Sequence, residues 1–139
     1  PNRQMQFLKL FDVADPDACY RRKSSVVPQQ ALALSNSQLV TTAGRTLART
    51  IQNQLPTKAT QQQFVERAFR HVLCRPPTSV EQKVCQSFLT KHAKLLAQPK
   101  LATFPGASRA VAPATDAKKR AQENLILVLL NHNEFVTIR

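Results

Sequence analysis

The chain has 139 residues, of which 42 % are hydrophobic, and its 20 lysines and arginines against 8 aspartates and glutamates give a formal net charge of +12. This length suits one domain with a single modest core, and no apolar run is long enough to span a bilayer. The positive charge favours an acidic partner or a polyanion, although it does not select a particular one.

Two glycines against nine prolines favour helices with proline-containing connections over tight hairpins. The three cysteines, Cys19, Cys74 and Cys85, form no Cys-x-x-Cys motif, so we expect no disulfide framework, no metal and no cofactor in this chain. His71 and Cys74 lie three apart on a predicted helix, but a metal site would need further ligands such as Cys85 or His92. The same residues lack the local motif of a Cys–His nucleophile.

The first predicted elements lie in an N-terminal segment over residues 1–27. Asp15 suits a helix N-cap and Pro16 the first helical position, where its missing N–H costs nothing. The short helix that follows carries the basic run Arg21-Arg22-Lys23. The chain begins without an initiator methionine, so we expect a fragment or a processed product of a longer protein.

A long amphipathic helix is predicted over residues 28–55, with Pro28 in its first turn and Pro56 at its end. Apolar residues recur along it with a period close to four, which is typical of a helix with one buried face. The predicted buried stripe is Leu39, Ala43, Leu47, Ile51 and Leu55.

Two capping boxes predict the next two helix starts, Thr60 with Gln63 and Thr78 with Glu81. The pair Pro76-Pro77 separates the two helices. The predicted inward residues of the first helix are Phe64, Val65, Ala68, Phe69, Val72 and Leu73. Those of the second, which is expected to stop before Pro99, are Val80, Val84, Phe88, Leu95 and Leu96.

Residues 99–114 lack periodicity and are predicted to form a long loop. The last helix is expected to begin near Thr115 and Asp116 and to end near residues 131–133, with an extended tail over 134–139. Its predicted inward face is Ala117, Ala121, Leu125, Val128 and Leu129. The fold prediction is all-α, a bundle of about four main helices with a long loop before the last helix. We expect one helical domain over 1–139, with a helical core over 28–98, the loop over 99–114, and a terminal helix and tail over 115–139.

Two groups of polar residues are candidate binding residues, and no catalytic residue is predicted. The run Arg21, Arg22 and Lys23, together with Arg75, suits a polyanion or an acidic partner, although a basic run also complements a solvated helix end. Helix caps do not fully explain the second group, which would form a polar pocket if its members converged with the arginines. This group is Gln30, Asn36, Asn131, Asn133 and Glu134.

Four segments in order carry a family resemblance: "LKLFDVADPDACYRR", "SSVVPQQALALSNSQLV", "ERAFRHVLCRPPTSVE" and "LILVLLNHNEFVTIR". They resemble the C-terminal domain, of unknown function, of large secreted planctomycete proteins that also carry a cytochrome-c-like domain. The resemblance implies an exported, periplasmic setting in a bacterium and partner domains upstream. Any haem would belong to another part of such a protein.

The function that we predict is that of a non-catalytic helical binding or scaffolding module of a larger exported protein. Its basic surface would face upstream domains of the same protein, an acidic protein partner or an acidic polysaccharide. One alternative is a wall of a polysaccharide-acting enzyme site that upstream domains complete. A second alternative, nucleic-acid binding, rests on charge alone, because single-strand binders interleave such charge with exposed aromatic residues.

Overall fold

The structure, a computed structural model, describes residues 37–56, 58–98 and 111–136. These residues form helices and no strand: α1 (Gln38–Gln54), α2 (Gln61–Val72), α3 (Ser79–Leu96), α4 (Ala117–Leu130) and α5 (Asn133–Val136). α4 packs most extensively, against both α1 and α3, while α2 packs against α1, α3 and α4. The prediction of an all-α fold with four main helices is confirmed. None of the helices in the described ranges combines the length and the apolar character that crossing a membrane requires.

All four long helices contribute to one core. Its buried hydrophobic residues are Ala48 and Ile51 from α1, Phe64, Val65, Ala68, Phe69 and Val72 from α2, Cys85 and Leu89 from α3, and Ala121, Leu125, Ile126 and Leu129 from α4. Burying one large apolar side chain stabilises the fold by about 1.5–3 kcal/mol. The core therefore depends on α4 packing between α1 and α3.

The prediction for α1 is wrong at its start and for part of its buried face. Ala43 is exposed, as is Leu39, whereas Leu47 and Leu55 are partly buried against the core as predicted. Ser37 has an extended backbone (φ −70, ψ 128), so α1 begins at Gln38 and the helix predicted over 28–55 is not continuous; residues 28–36 lie outside the described residues. Leu39 is 69 % exposed, because the face that meets α4 centres instead on Gly44. A Cβ at Gly44 would lie 2.7 Å from Leu127 Cδ2, so glycine permits this close approach. Ile51 is buried as predicted.

Both predicted capping boxes are confirmed. The Thr60 hydroxyl accepts from Gln63 N at 3.3 Å while Thr60 N donates to Gln63 Oε1 at 2.9 Å. The Thr78 hydroxyl accepts from Glu81 N at 3.3 Å, and Thr78 N donates to Glu81 Oε2 at 2.7 Å. Each pair satisfies backbone donors that a helix N-terminus leaves without a partner. The predicted inward residues of α2 are also confirmed from Phe64 to Val72.

The prediction for the inward face of α3 is confirmed for Phe88 and Leu96, which are partly buried against the core, and is wrong for the other residues. Val80, Val84 and Leu95 are exposed by 68 %, 62 % and 49 %, whereas Cys85 and Leu89 are buried. The helix has two apolar stripes, and periodicity alone cannot decide which of them faces the core. Residues 81, 85 and 89 lie on one side of a helix. Glu81 is held at the α2–α3 corner by the ion pair described below, so Cys85 and Leu89 follow it inward.

α4 begins as predicted, with the Asp116 carboxylate accepting from Lys118 N at 2.8 Å. Ala121, Leu125 and Leu129 are buried as predicted, but Val128 is 53 % exposed and was assigned wrongly to the inward face.

The extended tail is wrong for residues 134–136, which belong to α5. The amides of Phe135 and Val136 donate to the His132 carbonyl at 2.9 and 3.1 Å, and these bonds close a helical turn directly after α4. Residues 99–110 of the predicted loop, and residues 137–139, lie outside the described residues.

Candidate functional site

The corner between α2 and α3 positions Arg75. α2 ends with Leu73 as its C-cap, and Cys74 follows with a φ of 55, in the left-handed region. A left-handed residue commonly ends a helix, and glycine is the usual choice because it has no Cβ. This conformation is strained for cysteine, and it turns the chain sharply. The turn places the Arg75 side chain beside the start of α3.

The guanidinium of Arg75 uses all of its N–H donors. Nη1 and Nη2 donate to the two carboxylate oxygens of Glu81, at 3.0 and 2.7 Å, and Nη1 also donates to the Pro76 carbonyl at 3.2 Å. Nε and Nη2 donate to the two oxygens of Glu134, at 2.7 and 3.1 Å. The Arg75 Cζ lies 5.5 Å from the centroid of the Phe69 ring. Two bidentate pairs on one planar fork fix its orientation.

These contacts determine the charge of the corner. The hydrogen bond from Arg75, followed by that from Thr78 N, lowers the pKa of the Glu81 carboxyl from 4.5 to about 2. The hydrogen bond from Arg75 also lowers the pKa of Glu134, and the two carboxylates raise the pKa of Arg75. Both carboxylates are therefore ionised near neutral pH, and together they exceed the arginine charge, which leaves the corner with a net negative charge. An external anion would have to compete with them for Arg75.

The predicted polar pocket is only partly within the described residues, because Gln30 and Asn36 lie outside them. Asn131 caps the C-terminus of α4, where its Nδ2 donates to the Leu127 carbonyl at 2.8 Å. Its Oδ1 is buried and has no hydrogen-bond partner among the residues that the structure describes.

Asn133 is the first residue of α5, and the next residue, Glu134, reaches Arg75. The structure thus brings together Arg75 and Glu134, which belong to the two groups of candidate binding residues. The basic run Arg21, Arg22 and Lys23 lies outside the described residues, and the use of Arg75 as a polyanion contact stays a prediction.

A second ionic cluster, centred on Glu123, was not predicted from the sequence. Glu123 is 1 % exposed and accepts from Arg49 Nε at 3.1 Å and from Ala114 N at 2.9 Å. Arg45 is 7 % exposed, and burial, the largest influence, lowers its pKa. One signal for this cluster is present in the sequence, because Glu123 lies between the apolar residues Ala121 and Leu125 of α4.

The arginines of the Glu123 cluster also hold the segment that precedes α4. Arg45 Nη1 donates to the Val111 carbonyl, and Arg49 Nη2 donates to the Ala112 carbonyl. Both arginines lie within residues 18–65, a stretch of the sequence that contains no aspartate or glutamate. Their hydrogen bonds connect α1 to α4 and to the segment that precedes α4.

The cysteine and histidine candidates do not converge. Cys85 is buried, and burial raises the pKa of its thiol, which disfavours the thiolate that nucleophilic chemistry needs. Cys74 is exposed at the corner, and His92 stacks on Phe88 with ring centroids 4.8 Å apart. Within the described ranges, no three side chains of histidine, cysteine, aspartate or glutamate gather where a metal ion could bind.

Residues 1–89 of the chain match the model of a family described as "Protein of unknown function (DUF1553)". The chain belongs to this family. No curated protein and no solved structure matches the chain. The DUF1553 match includes α1, α2 and the corner with Arg75 and Glu81, and it ends inside α3. Glu123 and Glu134 lie beyond the matched residues, whereas their partners Arg49 and Arg75 lie within them, so ion pairs tie the DUF1553 region to the helices that follow it.

Proposed function

We propose that this DUF1553 chain is a non-catalytic binding or scaffolding module that docks an acidic protein surface on the outer face of α3. The observation that carries the proposal is the second apolar stripe of that helix. Val80, Val84 and Leu95 stand out from the bundle with more than half or nearly half of their surface in water. Exposed apolar residues on one helix face are typical of a surface that another protein covers.

The charge of the same face specifies the partner. Lys83, Lys91 and Lys94 lie on the exposed side of α3 with the valines and the leucine, and none of them forms an ion pair within the described residues. Every acidic residue of the described ranges is already engaged in an ion pair or a cap: Glu66, Glu81, Asp116, Glu123 and Glu134. The complementary surface is therefore acidic around an apolar centre.

The larger context is also part of the proposal. The family resemblance supports a planctomycete protein that is exported to the periplasm and carries a cytochrome-c-like domain. In such a protein the acidic surface would belong to an upstream domain, and any haem would be held there. The module would then fix the position of that domain, with the ion pair between Arg75 and Glu81 holding the start of the docking helix.

A binding experiment with a defined probe tests the docking face. The probe is a synthetic helical peptide with leucines on one face and glutamates beside them; a scrambled peptide of the same composition, heparin and duplex DNA serve for comparison. We expect the patterned peptide to bind and its affinity to fall steeply with salt. Replacing Lys83, Lys91 and Lys94 with glutamate should weaken binding at least about tenfold. Replacing Val80, Val84 and Leu95 with serine should weaken it similarly.

The matched control carries Lys118→Glu, Lys119→Glu and Val128→Ser, which make the same kinds of change at exposed positions of α4. This control should bind the patterned peptide as the parent does. Equal losses in the control would contradict docking on α3. Stronger binding to heparin or DNA, unaffected by the serine variant, would instead identify the chain as a general polyanion binder.

A further inference from the structure

A groove lies between the end of α1 and the outer face of α2. It encloses about 530 Å³, which is within the range of small-ligand sites. Its lining residues are Leu55, Pro56, Gln63, Glu66, Arg67, Arg70 and His71. None of these residues belongs to the α3 face, so the groove is a separate surface of the molecule.

The α2 side of the groove is polar and positively charged. Gln63, Arg67, Arg70 and His71 follow at intervals of four, three and one residue, so they share one helix face, and all four are exposed. Glu66 Oε1 accepts from Arg70 Nη2 at 3.0 Å, which steadies one guanidinium and offsets one charge. Arg67 forms no ion pair with any residue that the structure describes. The two arginines and one glutamate leave a single net positive charge.

The α1 side of the groove is apolar. Leu55 is half-buried and packs against the core, and Pro56 follows it directly. α1 ends at this point, and Leu55 has an extended backbone conformation. Leu55 and Pro56 form the floor of the groove, and neither has a long flexible side chain. An apolar floor opposite a small number of polar groups is the usual composition of a site for a small organic molecule.

We propose that this groove binds a small organic anion, a ring compound that carries one sulfate, phosphate or carboxylate group. The oxyanion lies against the guanidinium of Arg67, whose planar fork suits two oxygens of one anionic group. The ring lies over Leu55 and Pro56, and the side chains of Gln63 and His71 hydrogen-bond to its hydroxyl groups. The single net positive charge matches one anionic group.

A matched series of sugars tests this site and identifies the anion. Glucose 6-sulfate, glucose 6-phosphate and glucuronate are titrated into the isotopically labelled chain, with glucose as the uncharged member, and amide shifts are followed by NMR. We expect at least one charged sugar to bind with a Kd below about 10 mM and to shift the amides of α2 and of Leu55. Glucose should bind at least about tenfold more weakly. The ranking of the three charged sugars identifies the preferred anion.

Two substitutions separate a site from general charge attraction. Arg67→Gln should weaken the charged sugars at least about tenfold, and Arg67→Lys should restore less than half of the lost affinity if the fork contacts two oxygens. Lys91→Gln, which removes a lysine from α3, should leave binding unchanged. The far-ultraviolet circular dichroism of each variant reports whether it is folded. The proposal is overturned if no charged sugar shifts the α2 amides, if glucose binds as well, or if folded Arg67→Gln binds as tightly as the parent.

Discussion

Arg75 Nε lies 2.7 Å from Glu134 Oε2, although 59 positions separate the two residues in the sequence. Glu81, only six positions from Arg75, occupies the other edge of the same guanidinium. One carboxylate therefore fixes the arginine locally, and the other connects the α2–α3 corner to α5. This geometry makes Arg75 a structural tie between the DUF1553 match and the end of the chain.

Removing the arginine should destabilise the fold because it leaves two carboxylates without their common partner. We expect Arg75→Gln to lower the free energy of unfolding by about 1–2 kcal/mol, a value reduced for the partial exposure of the group. Urea unfolding followed by circular dichroism measures it. Arg70→Gln is the matched control, since it removes an exposed pair with Glu66 one turn apart and should cost at most about 0.5 kcal/mol. Equal effects of the two changes would contradict a special role for Arg75.

The pH dependence of stability should carry the signature of the same tie. The pKa of Glu81 falls from 4.5 to about 2 on folding, so the stabilisation is fully present above pH 4.5 and is lost as the pH falls through about 2. The lowered pKa of Glu134 acts in the same direction. We therefore expect the difference in unfolding free energy between the parent and Glu81→Gln to be constant near neutral pH and to shrink on acidification below pH 4.5. A difference that grows as the pH falls would contradict this assignment.

Local signals predicted the starts of α2, α3 and α4, whereas tertiary contacts determine which face of a helix is buried. Thr60 and Thr78 cap their helices through residues three positions away, so the information is contained in a few neighbouring letters. The rotation of α3 is different, because Val84 and Cys85 are both apolar and either could face inward. The ion pair between Arg75 and Glu81 favours the orientation in which Cys85 faces inward. The periodicity of the α3 sequence does not contain this information.

The candidate site was also predictable only in part from the sequence. The sequence placed Arg75 and Glu134 in two separate groups, and only the fold reveals that they form one cluster. Arg45 and Arg49 have no acidic residue near them in the sequence. Their partners lie more than 60 positions away, at Glu123 and the segment before α4, and such pairings depend on how the helices pack.

The close approach of α1 and α4 can be tested at Gly44. Alanine gains about 1 kcal/mol over glycine in a helix interior, but its Cβ would lie 2.7 Å from Leu127 Cδ2 and 3.4 Å from Leu130 Cδ1. Because overpacking costs about 1–3 kcal/mol, we expect Gly44→Ala to destabilise the protein by about 1 kcal/mol. In a Leu127→Ala background the clash is relieved, and the same change should become stabilising. Urea unfolding of the four proteins of this double-mutant cycle measures the coupling, and additive effects would show that the two helices are not in close contact here.

The buried carboxylate of Glu123 should behave as one unit with Arg49. Glu123 is 1 % exposed while the Arg49 side chain is 42 % exposed, so removing the arginine strands a charge in the core, whereas removing the glutamate leaves a cation that water can reach. Glu123→Leu also leaves the Ala114 amide, which donates to the carboxylate, without this acceptor. We expect each single change, Arg49→Met or Glu123→Leu, to destabilise the fold by about 2 kcal/mol, a value below that of a fully buried pair because Arg49 is partly solvated. The double variant, which replaces the pair with apolar side chains, should cost less than the sum of the two. Urea unfolding of all four proteins measures this coupling. Additive losses would show that the two charges do not interact.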